Sequence, residues 1–503
     1  MTSLEINGND LSFEELRQVV YARRPVALAA AAKQKVIAAR DVVEELLREN
    51  RVAYAINTGV GKLSDVHIEP AQNRQLQINL IRSHSAGVGE PLAQEETRAM
   101  MLLRANSLAK GCSGVRAEVI ELLCAMLNHG IHPVVPSQGS VGASGDLAPL
   151  AHLALAMIGE GEVWDGTGHA NSAQALKRAG IKPLVPEAKE AISLINGTQA
   201  MLAVGTLSLL AAENLAETGD VLGAMTLDAL HGTDVAFDER IHAARPHAGQ
   251  MKVAANLRRL IAGSEIRESH KDCGRVQDAY SLRCIPQVHG AVRDTLEFCR
   301  RTFAIEMNSA VDNPLVFTNG KGEGDIISGG NFHGEPLAFA LDYLAIALSA
   351  LAGISERRIE RLVNPALNEG LPPFLAPDAG INSGFMMPQV TAAALASENK
   401  VLAHPASVDS ITTSGNKEDY VSMGMAAAIK LKKVVANTTH VLAIEACAAA
   451  QALDFLAPLK TSKPLQKAHA AIRKVSATID KDRVFAEDFA RVAELIRSGS
   501  LAG

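Results

Sequence analysis

Gly139-Ser140-Val141-Gly142-Ala143-Ser144-Gly145-Asp146-Leu147-Ala148-Pro149-Leu150-Ala151-His152 is the stretch on which the reading of this chain turns. The small residues Ala143-Ser144-Gly145 let the backbone fold tightly enough for the Gly145 nitrogen to attack the Ala143 carbonyl. Glycine suits the attacking position because it has no Cβ in the way and tolerates unusual φ/ψ. Loss of water closes a five-membered ring, and dehydration of Ser144 then leaves a 4-methylidene-imidazol-5-one. No ordinary side chain is an electrophile, so such a group would define the chemistry.

The tripeptide alone carries little weight. With Ala, Ser and Gly each at roughly one position in twelve, a chain this long contains it by chance about one time in four. The flanks therefore decide. Asp146 and Pro149 suit the first turn of a helix, where a carboxylate meets the positive dipole end and proline gives up no hydrogen bond. The apolar run from Leu147 to Met157 continues as that helix. The triplet thus sits on a glycine-rich turn at a helix N-terminus, a place that stabilises developing negative charge.

Helical periodicity dominates outward from this point. Residues 25–48, 96–109 and 204–230 carry apolar positions at helical spacing, whereas strand candidates are confined to Glu162-Val163-Trp164 and Ile326-Ile327. Gly and Pro cluster at 130–145, 318–336 and 364–384, marking loops. The expected fold is mainly α, with a loop-rich N-terminal region over 1–200 and a long-helix bundle, with the oligomerisation surface, over 201–503.

Composition excludes several classes. At 503 residues and 48% hydrophobic, the chain is long enough for a large core. Its net charge is −6 with both signs interspersed, and no basic stripe points to nucleic acid. Residues 336–354 and 424–452 approach the length of a membrane span. Asp342 in the first and Lys430, Lys432 and Lys433 in the second would be costly in lipid, so both are expected as buried bundle helices. The opening Met1-Thr2-Ser3-Leu4-Glu5 has no leader pattern, and the six cysteines show no CxxC spacing. A cytoplasmic protein with reduced thiols is expected. No metal motif is present; His129 and His132 flank Gly130 before Pro133 and read as a helix end.

Further segments widen the picture: Tyr54 to Lys62, Asn79 to Glu90, Asn196-Gly197-Thr198-Gln199, Gln277 to Cys284, Asp312-Asn313-Pro314-Leu315, Gly329 to Gly334, and Lys417 to Met423. Together with the 142–152 signature, they resemble the aromatic amino-acid ammonia-lyases in motif order along nearly the whole chain, most of all the members acting on histidine. The resemblance implies a long-helix bundle of the fumarase/aspartase-like type. It also implies the prosthetic group named above, formed autocatalytically from Ala143, Ser144 and Gly145 with no external cofactor. A homotetramer with sites shared between subunits follows from it too.

Removing ammonia is hard because the amine leaves poorly and the β-hydrogen is barely acidic; covalent capture divides the problem. Tyr54 and Tyr280 are the base candidates for the β-proton, with Glu418 next. The resemblance puts Tyr54 on a mobile loop and Tyr280 beside the prosthetic group. Arg283, three residues after Tyr280, offers a planar fork for the substrate carboxylate. Asn196 and Gln277 are amphoteric amides suited to the substrate amine or the ring carbonyl. The resemblance makes Phe332 a wall of the site contributed by a neighbouring subunit.

Substrate choice rests on His84 and Glu418. An imidazole offers a donor and an acceptor that this pair would satisfy, whereas a phenyl ring would leave the same groups desolvated and unpaired. By resemblance, phenylalanine and tyrosine lyases carry an apolar residue and Gln at these positions, so L-histidine to trans-urocanate is expected. Two departures flank Glu418: Lys417 where histidine lyases usually carry Gln, and Tyr420 where they carry His. The alternatives are a tyrosine or phenylalanine ammonia-lyase, a related aminomutase, and a non-catalytic helical oligomer. The retained Ser144, Gly145, Tyr54, Tyr280 and Arg283 argue against the last.

Overall fold

A computed structural model describes residues 2–166, 168–319 and 323–502. About 59% of the chain is helical, in nineteen α-helices among the described residues, so the mainly α reading holds. The chain forms two compact units. The first comprises Met1–Leu207, Arg300–Leu341 and Ala406–Ile429; the second comprises Ser208–Cys299, Asp342–Pro405 and Lys430–Gly503. The first passage, after Leu207, lies close to residue 200. The chain then returns twice to the first unit, with segments that a single cut at 200 leaves with the second region.

Helix Ala30–Arg48 shows how the first unit is built. Its Ala39, Val42, Val43 and Leu46 recur on one face and pack with Ile56, Ala188 and Val316 into a buried cluster. Ile56, fully buried there, anchors the loop that carries Tyr54. The helix starts at Ala30 instead of residue 25, because Val26–Leu28 pairs as a parallel strand with Leu4–Ile6. Glu162–Trp164 is a strand between His132–Pro133 and His169–Asn171, and Ile326-Ile327 lies in the hairpin of Leu315–Thr318 with Gly324–Ile327.

Helix Gln94–Ala109 is buried along its whole length from Glu96 onward, arginines included. Buried charge requires partners. Arg98 donates to the Val19 and Leu127 carbonyls and to His132 Nε2. His132 is therefore a core hydrogen-bond acceptor, not half of a ligand pair with His129. No group of three or more His, Cys, Asp or Glu able to hold a metal ion occurs among the described residues.

Helix Leu147–Met157 begins where the sequence places it, with Asp146 at its N-cap position, but the Asp146 side chain makes no capping bond to it. The buried Asp146 carboxylate instead accepts from the Met201 amide at 2.8 Å and from Ser140 Oγ at 2.8 Å. Met201 lies in the first turn of helix Gln199–Ala229, so Asp146 satisfies an open donor of a different helix and meets its positive end. Burial pushes the Asp146 carboxyl up to about 6, against the opposing pull of these hydrogen bonds.

In the second unit the interior carries charge. Arg358 donates from Nε (2.5 Å) and Nη2 (2.9 Å) to Glu445, and Arg293 and His289 both reach Asp220. Breaking such buried pairs one partner at a time typically costs about 3–5 kcal/mol. Helices Gln199–Ala229 and Glu335–Val363 are long and apolar enough to cross a membrane, yet 72% and 61% of their apolar windows are buried inside the protein. Residues 424–452 fall within helix Gly424–Phe455, where residues 441–450 are all buried.

Candidate active site

The turn bearing Ala143-Ser144-Gly145 is held by close contacts at Gly142 and Gly145 that leave no room for a Cβ. Gly142 (φ +69°) lies where a Cβ would be 2.2 Å from Ser422 Oγ, and that hydroxyl donates to the Gly142 carbonyl at 2.9 Å. Gly145 (φ +71°) packs against Gly197 so closely that a Cβ would sit 2.1 Å from the Gly197 oxygen. The Asp146 amide donates to that same oxygen at 2.7 Å. Side chains close the frame: Asn196 Nδ2 donates to the Ser144 carbonyl at 2.7 Å.

Above this turn lies a cavity of about 720 Å³ in the first unit. Its wall includes Tyr54, His84, Ala143, Ser144, Asn196, Phe332 and Glu418, so seven of the residues singled out from sequence meet in one place. Gln277, Tyr280 and Arg283 do not line it. Gln277 and Tyr280 are exposed, Tyr280 to 72%, and the Arg283 guanidinium stacks 4.5 Å over the Tyr280 ring. Their spacing of three does bring Tyr280 and Arg283 together, through cation–π contact. Phe332, expected from a neighbouring subunit, lines the cavity within its own chain, in the 300–341 segment of the same unit as the tripeptide.

Each side chain arrives with a defined role as donor or acceptor. His84 ends helix Asn73–His84, and its Nδ1 lies 2.9 Å from the Leu80 carbonyl. A carbonyl only accepts, so Nδ1 carries the proton and Nε2 keeps a free lone pair. Burial pulls the His84 pKa down, against smaller upward pulls from the Leu80 carbonyl and Glu418, which favours this neutral form. Glu418 Oε1 accepts from Ser144 Oγ at 2.6 Å, and Oε2 accepts from Thr413 Oγ1 at 2.7 Å. Asn196 Oδ1 is buried without a partner. Tyr54 Oη accepts from the Gly61 amide at 3.1 Å, which folds the tyrosine loop back on itself.

The cavity wall also contains residues with no role assigned from sequence. Asn313 and His333 lie in recognised motifs, while Ile192 and Ser414 carried no signal. Lys417 and Tyr420, the two departures, both line the cavity, and Tyr420 stacks on His333 with ring centroids 5.9 Å apart. Their spacing from Glu418 was the available clue. Thr413 carried none, since an isolated threonine in a polar loop looks like any other.

Comparison with known proteins identifies the family. The sequence profile of aromatic amino acid lyases matches residues 11–474. A histidine ammonia-lyase of Koribacter versatilis is 69% identical, covering 100% of this chain and 99% of its own length. One from Anaeromyxobacter dehalogenans is 53% identical, covering 100% of both. Among solved structures, histidine ammonia-lyase from Trypanosoma cruzi superposes with a TM-score of 0.92 at 43% identity, covering 99% of this chain and 94% of that one. Tyrosine aminomutase from Streptomyces globisporus gives 0.94 at 40%, covering 99% and 98%. The chain belongs to the aromatic amino acid lyase family, with histidine ammonia-lyases among its most similar relatives.

Proposed function

We propose that this chain is a carbon–nitrogen lyase that removes ammonia from L-histidine to give trans-urocanate. It uses a 4-methylidene-imidazol-5-one formed from Ala143-Ser144-Gly145 and no external cofactor. The observation that carries the reading is the meeting in one cavity of Ser144, the unpaired Asn196 oxygen, the His84 Nε2 acceptor and the Glu418 carboxylate.

The surroundings of the tripeptide fit the ring. The space that a Cβ of residue 145 would need is filled by Gly197, which favours the glycine whose nitrogen can attack. Asn196 Nδ2 already sits on the Ser144 carbonyl oxygen, the one oxygen of the closing segment that the ring retains. The ring supplies an electron-poor exocyclic carbon, a chemistry no ordinary side chain offers.

The chain's own residues do the rest. Asn196 Oδ1 accepts from the substrate ammonium, which pairs an otherwise costly buried acceptor. His84 Nε2 and the Glu418 carboxylate are both acceptors, so a substrate imidazole in its protonated form, donating from both ring nitrogens, satisfies what a phenyl ring leaves stranded. Tyr54, on the loop folded back through Gly61, is the first candidate to take the β-proton, with Tyr280 the second and Glu418 after them. Arg283 supplies the fork for the carboxylate, and Gln277 a further amide.

Gln277, Tyr280 and Arg283 come to the site from other subunits of a homotetramer. The 72% exposure of Tyr280 supports this, as do Phe339, Tyr343 and Ile346, exposed at helical spacing along Glu335–Val363. The relatives named above and six free cysteines support a cytoplasmic enzyme with an amino-acid substrate and no nucleic-acid or membrane partner. A second reading, an aminomutase acting on tyrosine, draws on the likeness to the Streptomyces globisporus enzyme and on Lys417 and Tyr420 in the cavity wall. Incubating the purified protein separately with L-histidine, L-tyrosine and L-phenylalanine, and identifying each product, tests both. Urocanate and ammonia from histidine support the first reading; a β-amino acid from tyrosine overturns it.

A further inference from the structure

We propose that Arg104 is a positioning residue for ring closure, holding the segment that presses Gly145 towards Ala143; the inference rests on the prosthetic group proposed above. Arg104 lies on helix Gln94–Ala109 with 0% of its surface exposed. Its Nη1 donates to the Asn196 carbonyl at 3.1 Å and to Gln199 Oε1 at 2.7 Å, and its Nη2 donates to the Ser193 carbonyl. One guanidinium thus ties three points of the 193–199 segment. Burial lowers its pKa to about 10, which leaves it charged at neutral pH.

That segment touches the tripeptide on both sides of the attacking atom. Asn196 Nδ2 holds the Ser144 oxygen, and the Gly197 carbonyl takes the Asp146 amide, so the Gly145 nitrogen is bracketed by two bonds from adjacent residues. Gly197 is also shaped to Arg104: a Cβ there would lie 2.3 Å from Nη1. A charged side chain buried this completely, with Nε left unpaired, is a costly way to hold a loop for stability alone.

Closure forms the bond from Gly145 N to Ala143 C. The Ala143 oxygen leaves as water with the protons of the Gly145 and Ser144 nitrogens. The Ser144 hydroxyl leaves as a second water with the Ser144 Cα proton, and no oxidant is needed. The rate of such an intramolecular attack depends on how tightly both partners are held in the attacking geometry. A loosened 193–199 segment should therefore slow maturation without preventing folding.

The test follows intact mass with time after refolding chains recovered unmatured from inclusion bodies, in the parent, in Arg104→Lys, which keeps the charge but on a single donor nitrogen, and in Gln199→Ala, which removes one acceptor and spares the arginine. Circular dichroism and amide exchange at Asp146 are measured alongside. The expected result is folded Arg104→Lys that loses its two waters about tenfold more slowly than the parent or not at all. Gln199→Ala should fall between them, with Asp146 exchange faster in both variants. Folded Arg104→Lys that loses both waters at the parental rate overturns the proposal. If Arg104→Lys does not fold, an unchanged rate in Gln199→Ala overturns it instead. A parent that loses no water overturns the ring itself, a different failure.

Discussion

The Ser144 hydroxyl donates to Glu418 Oε1 at 2.6 Å, joining residues 274 positions apart in the chain. The residue proposed to become the electrophile and the carboxylate proposed to read the substrate ring are therefore neighbours before any substrate arrives. The same contact explains why Lys417 and Tyr420, on either side of Glu418, reach the cavity.

Maturation should be visible without substrate. The purified protein is expected to lack the mass of two waters, and Ser144→Ala, which cannot form the methylidene, should fold with parental helicity and lose nearly all activity. Intact-mass measurement checks this. An undiminished mass in the active parent would sink the mechanism.

Ring recognition should respond to the lone pair on His84 Nε2. His84→Leu is expected to weaken histidine turnover by about 1–3 kcal/mol in kcat/KM, the range for one lost buried hydrogen bond. The double change His84→Leu with Glu418→Gln should move preference towards phenyl rings, since the imidazole acceptor and the carboxylate charge are then both removed. Steady-state kinetics on the three amino acids decide; an unchanged preference would show that these residues do not read the ring.

Shared sites predict complementation between inactive chains. Ser144→Ala and Tyr280→Phe, each inactive alone, should recover part of the activity when refolded together, because some sites then combine an intact Ser144 with an intact Tyr280. Phe332 is left out of this experiment, as it lines the cavity of its own chain. No recovery from confirmed mixed oligomers would mean that each site is built by one subunit.

Acid sensitivity should depend partly on His132. Burial, with the positive charges of Arg98 and Arg23 adding to it, lowers its pKa from 6.5 to about 3, and its Nε2 accepts from Arg98 at 2.8 Å. Below about pH 6.5 the unfolded chain takes up a proton that the folded chain refuses until about pH 3. Stability present above 6.5 is thus lost as pH falls through that window, by up to about 1.4 kcal/mol per pH unit from this group. His132→Gln, which keeps an acceptor but cannot titrate, should flatten the dependence in urea unfolding between pH 7 and 5. The same slope in both proteins would exclude His132 as a cause.

Local signals in the sequence determined much of this protein. Helical periodicity and the Gly/Pro clusters marked the mainly α architecture, and Leu147–Met157 begins and ends where its apolar run does. Ala143, Ser144, Tyr54, His84, Asn196 and Glu418, each picked out by the motif it stands in, line one cavity. The tertiary structure alone decided the rest. Asp146 suits the first turn of its own helix in sequence, yet its side chain serves helix Gln199–Ala229, since a buried carboxylate goes to whichever open amides the packing brings near. Phe332 lines its own chain's cavity because the chain returns to the first unit after residue 300. Arg104 reads in sequence as one more charge on a helix; only burial and three carbonyl-type acceptors, 89 to 95 residues away, give it a task. Such contacts depend on long-range packing, and no local pattern of residues encodes them.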